Sequence, residues 1–139
     1  MVYEWVPVEL YGANNDGSQR RYTITDGVAV SKGTVLALLD PRTASVAVLA
    51  SAVFAGVAAE DHLPNIGVTT ISAWTDGVFE VTCSAAIAVG NPFTGTGGGT
   101  APWNNCIIPA LTSTSGAATM GYALETGSAL ETINVRLSL

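Results

Sequence analysis

Phe54-Ala55-Gly56-Val57-Ala58-Ala59-Glu60 is the stretch on which the fold turns. Its outline returns as Thr119-Met120-Gly121-Tyr122-Ala123-Leu124-Glu125, with Gly, Ala and Glu each reappearing about 65 positions later. Apolar residue, Gly, apolar residue, Ala, any residue, Glu reads as a β-strand pinched near its start. The glycine permits a close backbone approach or a bulge, and the residues after it alternate faces. A unit used twice in so short a chain predicts two similar β layers closing on one core. Gly56 and Gly121 are the expected geometric pinches, and Glu60 and Glu125 occupy equivalent places behind them.

Matching hairpins precede the two copies. Val28 to Leu36 turns at Ser31-Lys32-Gly33, and Ala86 to Thr94 turns at Gly90-Asn91. The repeat is therefore a strand–turn–strand unit closed by the Gly-containing strand, covering about 20–66 and 78–139. Arg20 to Thr25 alternates as a strand. Val68 to Trp74 and Val78 to Cys83 read as a hairpin with its turn at Thr75-Asp76-Gly77. Asp40-Pro41-Arg42-Thr43 reads as a loop with a helical turn over Ala44 to Ala52, leading into the first pinch strand. Thr132 to Leu139 alternates to the last residue, with Ile133, Val135, Leu137 and Leu139 on one face. The expected class is all-β, a small β-barrel or β-sandwich over residues 12–139.

Residues 1–11 stand apart. Tyr3, Trp5, Val6, Val8, Leu10 and Tyr11 are too apolar to leave in water, and Pro7 cannot donate to a ladder. Two readings are open: an edge strand folded over the chain's own core, or an extended arm lying on a neighbouring subunit.

With 139 residues, the chain is long enough to bury a core without metal or disulfide staples. Charged residues make up only 12% against 48% hydrophobic, which suits a surface buried in an assembly. The alternative is a compact β protein with a weakly charged exterior. A net charge of −6 argues against nucleic acid as partner, because phosphate tracking needs a basic face. No run approaches a membrane span, and Met1 to Trp5 lacks the pattern of a secretory signal. Cys83 and Cys106 read as buried thiols, with a disulfide as the alternative.

Chemistry is sparse. His62 reads as a solvated loop residue rather than a base or ligand. Glu60 and Glu125 read as symmetric structural residues accepting backbone or Arg hydrogen bonds rather than as a glycosidase pair. The glycines of Gly95 to Pro102 lack the Lys and Ser/Thr of a phosphate cradle. No catalytic residue, cofactor, metal or small-molecule substrate is expected, and the chain does not read as an enzyme.

Taken in order, several motifs resemble the capsid decoration, or cement, proteins of tailed phages and archaeal tailed viruses. The first are Asn15-Asp16-Gly17 with Arg21-Tyr22-Thr23, Val30-Ser31-Lys32-Gly33-Thr34-Val35-Leu36, Asp40-Pro41-Arg42-Thr43 and Phe54-Ala55-Gly56-Val57-Ala58. Thr75-Asp76-Gly77-Val78-Phe79-Glu80-Val81, Ala86-Ile87-Ala88-Val89-Gly90, Gly121-Tyr122-Ala123-Leu124-Glu125 and Ile133-Asn134-Val135-Arg136-Leu137 follow. The resemblance covers nearly all of the chain, and order and spacing carry it. It implies a virion protein, made in the host cytoplasm, that assembles on the outer surface of an icosahedral head, often as a trimer. There it would clamp the major capsid protein, with the N-terminal arm as the capsid-binding element. The competing reading is a carbohydrate- or receptor-binding module in which Trp5, Trp74 and Trp103 stack on sugar rings.

Overall fold

The computed structural model describes residues 4–10, 18–46, 53–95, 105–109 and 119–139. Among these, ten strands form one sheet and no helix is present. The strands are β1 (Val6–Glu9), β2 (Ser18–Thr23), β3 (Val35–Asp40), β4 (Thr43–Val46) and β5 (Phe54–Ala58), then β6 (Thr70–Thr82), β7 (Pro92–Gly95), β8 (Ile107–Pro109), β9 (Gly121–Ala123) and β10 (Thr132–Ser138). The chain is all-β, and the sheet closes on itself twice.

The first closure runs β2–β4–β3–β5–β6 and returns from β6 to β2. The second runs β6–β10–β9–β7–β8 and is completed by a parallel bridge from Cys83, just past β6, to Ile107. β6 belongs to both rings. Its first half pairs with β2 (Tyr22 opposite Ile71), and its second half pairs with β10 (Val81 opposite Ile133).

Shared membership is why β6 is 13 residues long. The expected turn at Thr75-Asp76-Gly77 does not form. Asp76 and Gly77 lie in register with Ser138 and Leu137, and the strand runs straight through. A bulge opposite Ser18–Gln19 and a φ of +138° at Gly77 absorb the change from one ring to the next. Turn chemistry is local, whereas two ladders on β6 supply many hydrogen bonds, so the ladders prevail. The first unit accordingly includes Thr70–Asp76, which pairs as β10 does, and does not stop at residue 66.

The Asp40 segment also differs from expectation. Asp40 ends β3, and its Oδ1 accepts hydrogen bonds from the backbone N–H groups of Arg42 and Thr43, both at 2.9 Å. This closes a tight β3–β4 hairpin, and Ala44 to Val46 are strand, not helix. Ala47 to Ala52 lie outside the described residues.

The pinch strand β5 is buried from end to end because it separates two cores. Ala55 and Ala58 face the first ring's interior with Tyr22, Leu36 and Ile71. Phe54 and Val57 face the other way, into a larger cluster with Trp5, Trp74, Phe79, Phe93 and Met120. β3 alternates likewise, with Leu36 on one side and Val35 and Ala37 on the other. A strand buried on both faces carries no polar alternation.

The repeat is now visible bond by bond. At Gly56 a Cβ would collide with the carbonyl of Trp74; at Gly121 it would collide with that of Arg136. Ala59 N–H donates to Ser72 O at 2.9 Å, and Ser72 N–H donates to Glu60 Oε1 at 3.0 Å. In the second copy Leu124 N–H donates to Asn134 O at 3.0 Å, and Asn134 N–H donates to Glu125 Oε1 at 2.7 Å. Each glutamate continues the ladder one step past its strand. The paired bridges Val30–His62 and Ile87–Gly127 are equivalent as well.

Candidate attachment surface

The N-terminal segment resolves into two faces. Trp5 is 2% exposed. Its indole packs at 5.7 Å from Phe79 and 5.9 Å from Phe93, and its Nε1–H donates to the carbonyl of Asn105 at 3.0 Å. Trp5 therefore belongs to the chain's own core, which corrects its expected place in a capsid-binding arm. The reason is the indole: sequestered between the rings it loses water contact over its whole surface and still keeps its N–H bonded. Leu10 packs partly against the same cluster. Tyr3 and Tyr11 lie outside the described residues.

Val6 and Val8 point the other way, 51% and 52% exposed. β1 pairs antiparallel with β6, Val6 opposite Glu80 and Glu9 opposite Val78. Residues opposite one another share a side of the sheet, so the pairing registers trace an outer face across the second ring. One row runs Val6–Glu80–Asn134. The next runs Glu9–Val78–Arg136–Tyr122–Pro92. Tyr122 is 43% exposed on this face, and Arg136 is held by Asp76, with Nη2 at 2.8 Å from Oδ1.

The corresponding face of the first ring is covered. Val57, paired with Trp74, stands where the second ring has Tyr122 paired with Arg136, and both Val57 and Trp74 are buried in the inter-ring cluster. The same architectural surface is thus used twice, once as core and once facing outward with Tyr, Arg and Pro in place of core residues.

The remaining candidates have structural places. His62 is 3% exposed rather than solvated. Its Nδ1 lies 2.6 Å from Val28 O and its Nε2 2.7 Å from Val68 O, so the ring staples two loops to each other. A neutral ring can donate to only one of these carbonyls. The second unit has Gly127 there, and a hollow lies beside each of the two positions. Among the described residues no cluster of His, Cys, Asp and Glu could hold a metal ion. Cys83 and Cys106 are buried thiols, not joined in a disulfide. Burial, then the neighbouring Cys83, pushes the Cys106 thiol up to about 11. Burial, then Glu131 and Glu125, raises that of Cys83.

Trp74 is 3% exposed and packs at 5.4 Å from Phe79. With Trp5 also internal, two of the three tryptophans are removed from any sugar-stacking platform; Trp103 lies outside the described residues.

No family model matches the chain, and no curated protein matches it. Among solved structures, the N base of the head fiber gp8.5 of bacteriophage phi29 has a similar fold, with a TM-score of 0.51 and 17% sequence identity. The likeness covers 87% of this chain and 95% of that one.

Proposed function

We propose that the protein is a non-enzymatic structural component of a tailed-phage virion, which binds the outside of the head and stabilises the major capsid protein lattice. The observation carrying this reading is the fold likeness to a head-fiber base, over nearly the full length of both chains. The exposed face of the second ring supports it, because it offers Val6, Val8 and Tyr122 beside charged Glu80 and Arg136, an interface-like mixture. Binding only the assembled lattice stabilises that lattice by mass action. The subunits associate with one another on the head, as a trimer. The proposal needs no cofactor, nucleic acid or membrane.

The test is co-sedimentation of purified protein with empty expanded heads, comparing the native chain with the double variant Val6→Asp, Val8→Asp. Both positions are half exposed, so the variant should unfold at nearly the native urea midpoint. It should bind heads at least about tenfold more weakly, the scale of losing one anchor. Native protein that does not sediment with heads overturns the reading.

A further inference from the structure

Charge is divided unevenly between the rings. Among the described residues of the first, Asp26, Asp40, Glu60 and Asp61 are offset by Arg20, Arg21, Lys32 and Arg42. Among those of the second ring and β1, Arg136 stands against Glu4, Glu9, Asp76, Glu80, Glu125 and Glu131. One ring is balanced and the other is acidic.

The acid reaches the outer face of the second ring. Glu9 and Glu80 stand on its two rows, both exposed, and neither forms an ion pair among the described residues. Arg136 shares the row of Glu9 but does not balance it. Its Nε donates to Asp76 Oδ1 at 2.9 Å, and its Nη2 lies 2.8 Å from the same oxygen. Apolar contact area accompanies the two glutamates: Val6 is in the row of Glu80, Tyr122 is in the row of Glu9, and Val8 lies at the bulge beside Glu9.

The repeat shows that the sheet does not require this acid. Glu80 opposite Asn134 holds the place that Arg21 opposite Ser72 holds in the first unit. The same backbone position accepts either sign, so the sign at Glu80 is left to what the face meets.

A second copy has no basic face to offer it. Lys32 lies over the Trp74 ring at 5.5 Å, Arg20 lies over the Tyr22 ring at 5.6 Å, and Arg21 reaches the Thr70 and Ser72 hydroxyls at 3.4 Å. These cations sit among the first ring's own acids, and two second-ring faces brought together repel. Nucleic acid and anionic lipid repel the face for the same reason.

We infer that the outer face of the second ring docks on a basic surface of a different protein, whose lysine or arginine side chains meet Glu9 and Glu80 around the apolar contacts of Val6, Val8 and Tyr122. The inference rests on the proposed attachment to heads and deepens it: it names the chemistry that the shell offers, and it turns the second ring towards the shell and the first away from it.

The experiment is co-sedimentation of the purified chain with empty expanded heads at low and high salt. Binding should weaken at least about tenfold as salt rises, because the contact is between opposite charges at a solvated rim. Glu9→Gln with Glu80→Gln keeps the side-chain shapes and should unfold at the native urea midpoint. It should bind at least about tenfold more weakly at low salt and lose most of the salt dependence. Arg42→Gln, on the first ring, should bind as the native chain does. Native protein that does not sediment with heads overturns the attachment reading and this inference together. Native binding that salt does not weaken, or a glutamine pair that binds natively, overturns this inference alone. So does an Arg42→Gln variant that binds as weakly as the glutamine pair, since the first ring would then face the shell. A glutamine pair that changes the sedimentation mass of the free chain overturns it too, because the occupant would be a second copy.

Discussion

Gly56 and Gly121 do the same work in their two units: each lets a neighbouring carbonyl sit where a side chain would begin. Gly56→Ala adds a clash with the Trp74 carbonyl to a φ of +146°, and Gly121→Ala meets the Arg136 carbonyl. Each should cost about 2 kcal/mol or more, measured as a lower urea midpoint at unchanged slope. At Leu130 the sign reverses. Its φ is +72° where the first unit has Asn65 at +61°, so replacing it with asparagine relieves left-handed strain and should stabilise the folded chain by about 1 kcal/mol. His62→Phe removes the ring N–H that bonds one of the two buried loop carbonyls, for a loss of about 1–3 kcal/mol in the same measurement. The Gly and Glu of each copy were legible as a pair in the sequence because the repeat displays them. His62 was not, since nothing in Glu60-Asp61-His62 reveals that the loops at Val28 and Val68 converge on it.

At the scale of elements, β1 and β6 decide the most. β1 is an edge strand with its aromatic side turned inward, so Trp5→Ala should cost about 3–5 kcal/mol in chemical denaturation. Deleting residues 1–11 should therefore impair folding as well as attachment, whereas the Val6, Val8 variant separates the two. β6 carries an Asp-Gly pair that reads as a turn but sits mid-strand. The alternation on either side of it was legible; the continuity was not, because it depends on β2 and β10 arriving from distant parts of the chain. The β3–β4 hairpin shows the same limit, since Asp-Pro opens helices as readily as it closes turns.

For the whole molecule, the shared strand and the inter-ring cluster make two rings one cooperative body. Phe54, Val57 and Trp74 of the first unit pack with Phe79, Phe93 and Met120 of the second. Thermal unfolding followed by tryptophan fluorescence and by far-ultraviolet circular dichroism should give coincident transitions. Cys106 adds a pH dependence. Its thiol titrates near 11 in the folded chain against an ordinary 9.0, so the folded state holds a proton that the unfolded state releases. Stability is full below about 9, falls as pH rises from 9 towards 11, and Cys106→Ala should flatten that alkaline decline.

The residues alone determined that this chain is all-β, that it is built twice from one plan, and that the plan turns on Gly56 and Gly121. Those facts are local: alternation, turn residues and a repeated motif are written in neighbouring positions. The tertiary structure alone decided that the pinch strand lies between two cores, that one strand serves both rings, and that Trp5 turns inward while Val6 and Val8 turn out. Each of these depends on which distant strand pairs with which. Burial follows register and closure, and a strand's own sequence does not say which of its faces another ring will cover.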